Sequence, residues 1–521
     1  MGASLRVSAR GARSARLLRV FLCALLCALL CALLCAPESR GAPKTPTWTG
    51  WLALETHHFV LRFPAHLEPL GRRAAAVCEE AWREVTPLYG YAPDARVEVT
   101  LLDLGDDPNG FATTVTWPRI ALFVAPPHLD EVLHHYDDWL RLLIYHEFAH
   151  ILQLQPVGGV SAALNALLGR QLVPNQALPS AVLEGAATWV ESLVTRRGRL
   201  RSALVHGQVR AQAFEGALPT IDELLHTPER WPGPSVWYIH GGLFFEWLAA
   251  REGREWLAPW HQRVGASLLP FALNEGVREQ LGATYEDLYA EWRSAYTREA
   301  LLWREAREPL TEPRWRAAPA LRRGHPALDP SGALWVWEGG EGGAPGVYWY
   351  APEGANPPTR ALALPLGDEA EISLCLSEEG APRALLWSAR SLEEGLYTQR
   401  ALWWAPVLEP ARGATPPRLG APRRLGVGGE GAPRLRSPSC APGGRWAVAV
   451  EATEGRTRLV ALPLSASQPS PPPAPSTTSA GSGRWGAPPS LRAGRGRGRG
   501  EACSPQSLSA GLRGAGSRSC G

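Results

Sequence analysis

The sequence predicts an α+β chain followed by an all-β region, and three observations carry that reading. Residues 55–125 mix period-two runs with one helical run, residues 129–300 are helical almost throughout, and past Pro309 short Trp-, Val- and Leu-rich runs alternate with Gly and Pro. Taken in order, residues 58–63 read as a strand, 66–88 as a helix, and 96–102 and 119–124 as two further strands. Clusters at 156–159, 174–179 and 232–234 then punctuate helices rather than divide domains.

Beyond residue 310, two segments resemble each other, 325–337 and 436–450. Each is a turn of Pro, Ser and Gly feeding a strand, and each is followed by a second strand, at 347–350 and 458–462. A similar turn at 379–382 before a strand at 384–388 makes a third unit. Repeats of roughly 50 to 60 residues with this content fit a partial β-propeller over 310–464, with an irregular β-sandwich as the alternative. From 465 to 521 the composition collapses into Ser, Pro, Gly and Arg, which predicts a disordered low-complexity tail. So abrupt a change is also what a frameshift replacing further strand units would leave.

Composition narrows the function classes. With 53 basic and 50 acidic side chains in 521 residues, the net charge of +3 gives no global electrostatic case for nucleic acid or an anionic membrane. The Arg-Gly run at 495–500 is a weak exception in a chain with an export leader, and no nucleic-acid partner is expected. Apolar residues at 45%, with 22 Trp, exclude a wholly disordered chain. Arg6, Arg10, Arg13, Arg16 and Arg19 precede an unbroken apolar run at 20–36, so residues 1–36 read as a signal peptide or a membrane anchor. The expected location is therefore exported: periplasmic, extracellular or membrane-anchored, with membrane contact only through an uncleaved leader. Past the leader, Cys78, Cys375, Cys440, Cys503 and Cys520 are odd in number and scattered, so buried thiols are expected rather than a disulfide framework.

The segment that carries chemistry is 137–155, with Asp137 or Asp138 to cap a helix and Pro156 and Gly158 to end it. Within it, His146-Glu147-x-x-His150 puts two imidazoles one turn apart on one face, where both reach a single metal ion. Catalytic zinc takes three protein ligands and keeps one position for water. A second helical stretch, Glu184-Gly185-x-x-x-Trp189-x-Glu191, offers the third ligand in Glu184. Glu147 lies next to one ligand but off the ligand face, suited to the water rather than the metal. His134 and His135 precede the helix and are expected to be exposed.

These two motifs together resemble the gluzincin metallopeptidases, and more narrowly the bacterial peptidase MA-like domains often fused to TolB-like propellers. The resemblance covers about residues 48–305 and implies a zincin-like fold, a small mixed sheet with a helical subdomain. It implies Zn2+ held by His146, His150 and Glu184, with Glu147 as general base on a zinc-activated water and a peptide or protein as substrate. Glu191 is then expected to accept from a ligating imidazole, the alternative being a surface carboxylate paired with Arg196 or Arg197. Tyr238 is the first candidate for the oxyanion donor and His240 the next, with a packed aromatic and a helix-cap histidine as rivals. No methionine follows Met1, so the Gly-x-Met-Glu-Asn loop of zinc aminopeptidases is missing and an endopeptidase is favoured. Residues 119–124 are expected to be the edge strand that pairs with an extended peptide. The competing reading is a noncatalytic zinc module whose β region recognises a protein partner.

Overall fold

The computed structural model describes residues 50–464, apart from 107, 128–131, 268–272, 308–321, 340–343, 353–357, 365–369, 394–396, 412–414 and 427–433. The expectations for residues 1–36 and 465–521 therefore lie outside the described residues, as do Cys503 and Cys520. The chain mixes helices and sheets, as the α+β reading expects.

The first part is a five-stranded sheet of β1 (Trp51–Glu55), β2 (Phe59–Pro64), β3 (Val97–Leu102), β4 (Gly110–Thr113) and β5 (Arg119–Phe123), in the order β1-β2-β3-β5-β4. β2, β3 and β5 run parallel, and β1 and β4 pair antiparallel at the two edges. Two of these strands, β1 and β4, escape a reading of periodicity because each is short and stays partly exposed on both faces. One expectation is corrected: β5 lies inside the sheet between β3 and β4, so the edge strand is β4. The β4–β5 hairpin folds β4 outward, and β5, buried at Ile120, Ala121 and Leu122, has the composition of an interior strand.

Ten helices follow from the same chain: α1 (Glu68–Tyr89), α2 (Trp139–Leu154), α3 (Gly159–Leu168), α4 (Ser180–Thr195), α5 (Ala203–Phe214), α6 (Ile221–Leu225), α7 (Ser235–Glu252), α8 (Leu257–Gly265), α9 (Leu273–Leu281) and α10 (Tyr285–Glu305) among the described residues. Alternation on the strands turns Phe59, Leu61, Val97, Val99 and Leu101 inward, where they share one core with Ala81 and Val85 of α1 and Phe148 and Leu152 of α2. Burial on nearly every side is why α2 reads as apolar almost all round. No single helix among the described residues is long and apolar enough to cross a membrane.

The second part forms three antiparallel sheets in chain order. The first holds β6 (Arg322–Leu328), β7 (Leu334–Gly339), β8 (Gly346–Tyr350) and β9 (Thr359–Ala363). The second holds β10 (Glu371–Leu376), β11 (Pro382–Glu393), β12 (Tyr397–Glu409) and β13 (Arg418–Leu419), with β14 (Arg423–Leu425) also on β12. The third holds β15 (Arg434–Cys440), β16 (Trp446–Thr453) and β17 (Arg456–Pro463). Trp335, Trp337 and Trp349 pack against Leu385 and Trp387 between the first two sheets, and Leu386 and Leu402 pack against Leu435 and Ala449 between the second and third. The cysteine expectation fails here: Cys375 on β10 and Cys440 on β15 form a disulfide joining two sheets, whereas Cys78 is a free buried thiol. A separation of 65 residues hides such a pair from any local spacing rule.

Candidate metal centre

The centre is built on α2, and its N-terminus is set by Asp138, whose carboxylate accepts from the Arg141 backbone N–H at 3.4 Å. At the other end Arg170 donates to the carbonyls of Leu154 and Gln155, at 3.1 and 2.8 Å, and to the Thr114 carbonyl at 2.8 Å. One guanidinium thus caps the carbonyl end of α2 and ties it to the chain leaving β4. α4 carries the third candidate ligand and packs against α7 through glycines. A Cβ on Gly185 would stand 2.7 Å from the Gly241 backbone, and one on Gly241 would stand 2.7 Å from the Ala181 carbonyl. Only glycine allows that approach, which brings Glu184 on α4 and Tyr238 on α7 to the same cleft.

His146, His150 and Glu184 come together as a triangle. His146 Nε2 to His150 Nε2, His146 Nε2 to Glu184 Oε2 and His150 Nε2 to Glu184 Oε2 are each 3.2 Å. Ligands at roughly 2.0–2.1 Å around a tetrahedral zinc stand about 3.3 Å apart, so this spacing fits zinc without rearrangement. The tautomers agree with that use. Glu191, fully buried, accepts from His146 Nδ1 at 2.8 Å, so in the neutral imidazole the Nε2 lone pair faces the triangle. Gln153 does the same for His150: its Nε2 donates to the Leu183 carbonyl at 3.1 Å, turning its Oε1 to accept from His150 Nδ1 at 3.1 Å. Two lone pairs and a carboxylate oxygen converging at 3.2 Å repel one another unless something positive lies among them.

Burial disfavours an imidazolium at His146, yet hydrogen bonds to Glu184 and Glu191 outweigh it and push the group up to about 9. Burial opposes ionisation of Glu184 too, but the His150 and His146 imidazoles hold its carboxyl far below the usual range. Glu191 is held down, against burial, by Arg199 and His146. Glu147 behaves in the opposite way, because burial raises its carboxyl above the usual range and the two histidines only partly offset that.

Glu147 is 4% exposed, and its Oε2 has no hydrogen-bond partner. It lies directly under β4, where a Cβ on Gly110 would stand 2.7 Å from Glu147 Oε1. Glu147, the triangle, Tyr238 and the edge residues Gly110 and Phe111 line one cleft of about 470 Å³. Tyr238 stacks at 6.2 Å from the His146 ring, and its phenol is pushed up to about 12, first by burial and then by Glu184. Its hydroxyl therefore keeps its proton at neutral pH and can donate.

His240, the second oxyanion candidate, does not line the cleft; it is fully buried and meets Gln212 Oε1 at 2.8 Å. The surface alternative for Glu191 is overturned by its burial and by Arg199, whose Nε lies 3.5 Å from it. His134 and His135 are half-buried rather than exposed and do not belong to the metal-competent group. Sequence reasoning missed Gln153 and Arg199. Gln153 stands three residues after His150 on the same helix face, a spacing that signals it. Arg199 follows α4 in a short turn, hydrogen-bonds Thr188 Oγ1 at 3.2 Å and lies 4.4 Å over the Tyr238 ring, and no local pattern marks it.

A scan against family models finds no match for this chain, and a search of the curated proteins finds none either.

Proposed function

We propose that this chain is an exported zinc metallopeptidase of gluzincin type, acting as an endopeptidase on peptides or proteins. The observation that carries the reading is the triangle of His146, His150 and Glu184 at 3.2 Å spacing, with both histidine tautomers set by Glu191 and Gln153. A bound zinc would polarise the scissile carbonyl and lower the pKa of a water at the remaining position. Glu147 takes the proton from the attacking water and delivers it to the leaving amine; burial raises its basicity, the direction a general base needs. Tyr238 donates to the carbonyl oxygen as that oxygen gains charge. The substrate backbone lies extended along β4, whose outer side pairs with no other strand among the described residues.

The parallel strands, antiparallel edge and buried two-histidine helix support a zincin-like fold, and three sheets stacked in chain order support propeller blades for the β region. The Cys375–Cys440 disulfide supports an oxidising compartment. Profiling the purified chain and Glu147→Gln on a broad peptide library tests the activity. Glu147→Gln should retain zinc and lose roughly 10²- to 10⁴-fold in hydrolysis. Undiminished hydrolysis would remove Glu147 from the mechanism, and a parent that cleaves nothing would favour the noncatalytic zinc module.

A further inference from the structure

The β region reaches the connection from β3 to β4 through a side chain that no motif singles out. Arg434 opens β15 and is 7% exposed. Its Nη1 lies 2.7 Å from Asp103 Oδ1 and donates to the Gly105 carbonyl at 2.9 Å. Its Nε donates to the Ala452 carbonyl at 3.1 Å and lies 3.5 Å from Asp106 Oδ1. Asp106, itself 6% exposed, also accepts from the Arg400 backbone N–H on β12. Two residues on, along the same face of β15, Arg436 donates to the carbonyls of Pro126 and Pro127 at 2.7 and 3.3 Å.

What these arginines hold is specific. Asp103, Gly105 and Asp106 lie in the connection from β3 to β4, and Asn109, Gly110 and Phe111 at its far end form a wall of the cleft. Pro126 and Pro127 leave β5, the strand on which β4 is hung. Both flanks of the β4–β5 hairpin are therefore gripped from the third sheet. A buried guanidinium is tolerated only when it is paired: here the Asp103 and Asp106 carboxylates and the Gly105 carbonyl tie it to the loop, while the Ala452 carbonyl anchors it in its own sheet.

We propose that the β15–β17 sheet is an intramolecular clamp that sets the position of the substrate-binding edge β4, with Arg434 as the positioning residue. The proposal rests on the peptidase reading for its consequence, since β4 is the strand along which the peptide lies. The β region is then a working part of the cleft.

The test uses the full chain and compares the parent with Arg434→Met and with the milder Arg434→Lys. Hydrogen exchange followed by mass spectrometry reads the clamp without any need for activity. In Arg434→Met, amides at 109–113 should exchange roughly tenfold faster while those of α2 keep the parent's rate. Zinc content should not change. With peptide substrate, KM should rise roughly tenfold with kcat nearly unchanged, and Arg434→Lys should recover part of the loss. Parent-like exchange at 109–113 and parent-like KM in folded Arg434→Met would overturn the proposal. If Arg434→Met does not fold, the same two readouts in Arg434→Lys decide it. If the parent hydrolyses no peptide, the peptidase reading fails, while the exchange comparison still decides the clamp.

Discussion

The helices around the candidate metal centre and the three sheets beyond residue 322 use their polar side chains in opposite ways. Around α2 and α4 the buried polar groups satisfy one another: His146 with Glu191, His150 with Gln153, and Glu191 with Arg199. Glu147 Oε2, which faces the cleft, is left without a partner there. In the third sheet the buried arginines reach outward to another region, and a disulfide supplies the link between neighbouring sheets. A site that will bind and react needs inward satisfaction with one open group. A framework that must stay in register needs links to its neighbours. The difference separates what should disturb chemistry from what should disturb assembly.

The largest effect that would sharpen this contrast falls on the framework. Cys375→Ser should destabilise the β region by about 2–5 kcal/mol, seen as a lower urea midpoint under nonreducing conditions, while zinc content stays at the parent value. Loss of zinc in that variant would mean that the two regions are not separable in this way. Next comes the support of a ligand. Glu191→Gln should weaken zinc affinity by roughly 10- to 100-fold in a chelator competition, because the His146 tautomer is no longer held by a charged acceptor. Affinity equal to the parent's would make Glu191 a packing residue.

The smallest effect concerns acid stability. His240 is buried and depressed to about 3, and His261 to about 4, in both cases first by desolvation. Folded His240 stays neutral while the unfolded chain takes up a proton near the ordinary pKa of about 6.5, so the stabilisation is full above that pH and is lost as pH falls toward 3. The expected slope is up to about 1.4 kcal/mol per pH unit for each group. Urea midpoints between pH 7 and 5 should fall less steeply in His240→Phe than in the parent, and equal slopes would contradict this assignment.

Local pattern carried much of the metal centre. The spacing of His146 and His150 on one apolar helix and the Glu184 to Glu191 pair are short-range signals, and the structure brings all four residues together. Glu147 and Tyr238 also reach the cleft. His240 does not, because its place two residues after Tyr238 on a helix turns it to another side. What pattern missed is long-range or nonperiodic. Cys375 and Cys440 meet across two sheets, Arg434 finds Asp103 from a distant strand, and the edge strand β4 is a four-residue hairpin arm with too little alternation to read. In the β region, the three turn-and-strand units were legible because Gly and Pro punctuate them, whereas the pairing of the sheets was not.

The central claim is that the three atoms at 3.2 Å spacing form a zinc site. Metal analysis of the purified full chain and of His146→Ala, after dialysis against trace zinc, tests it most directly. The account predicts about one zinc per chain in the parent and close to none in the variant; a parent that holds no zinc, or a His146→Ala chain that holds as much as the parent, would contradict it.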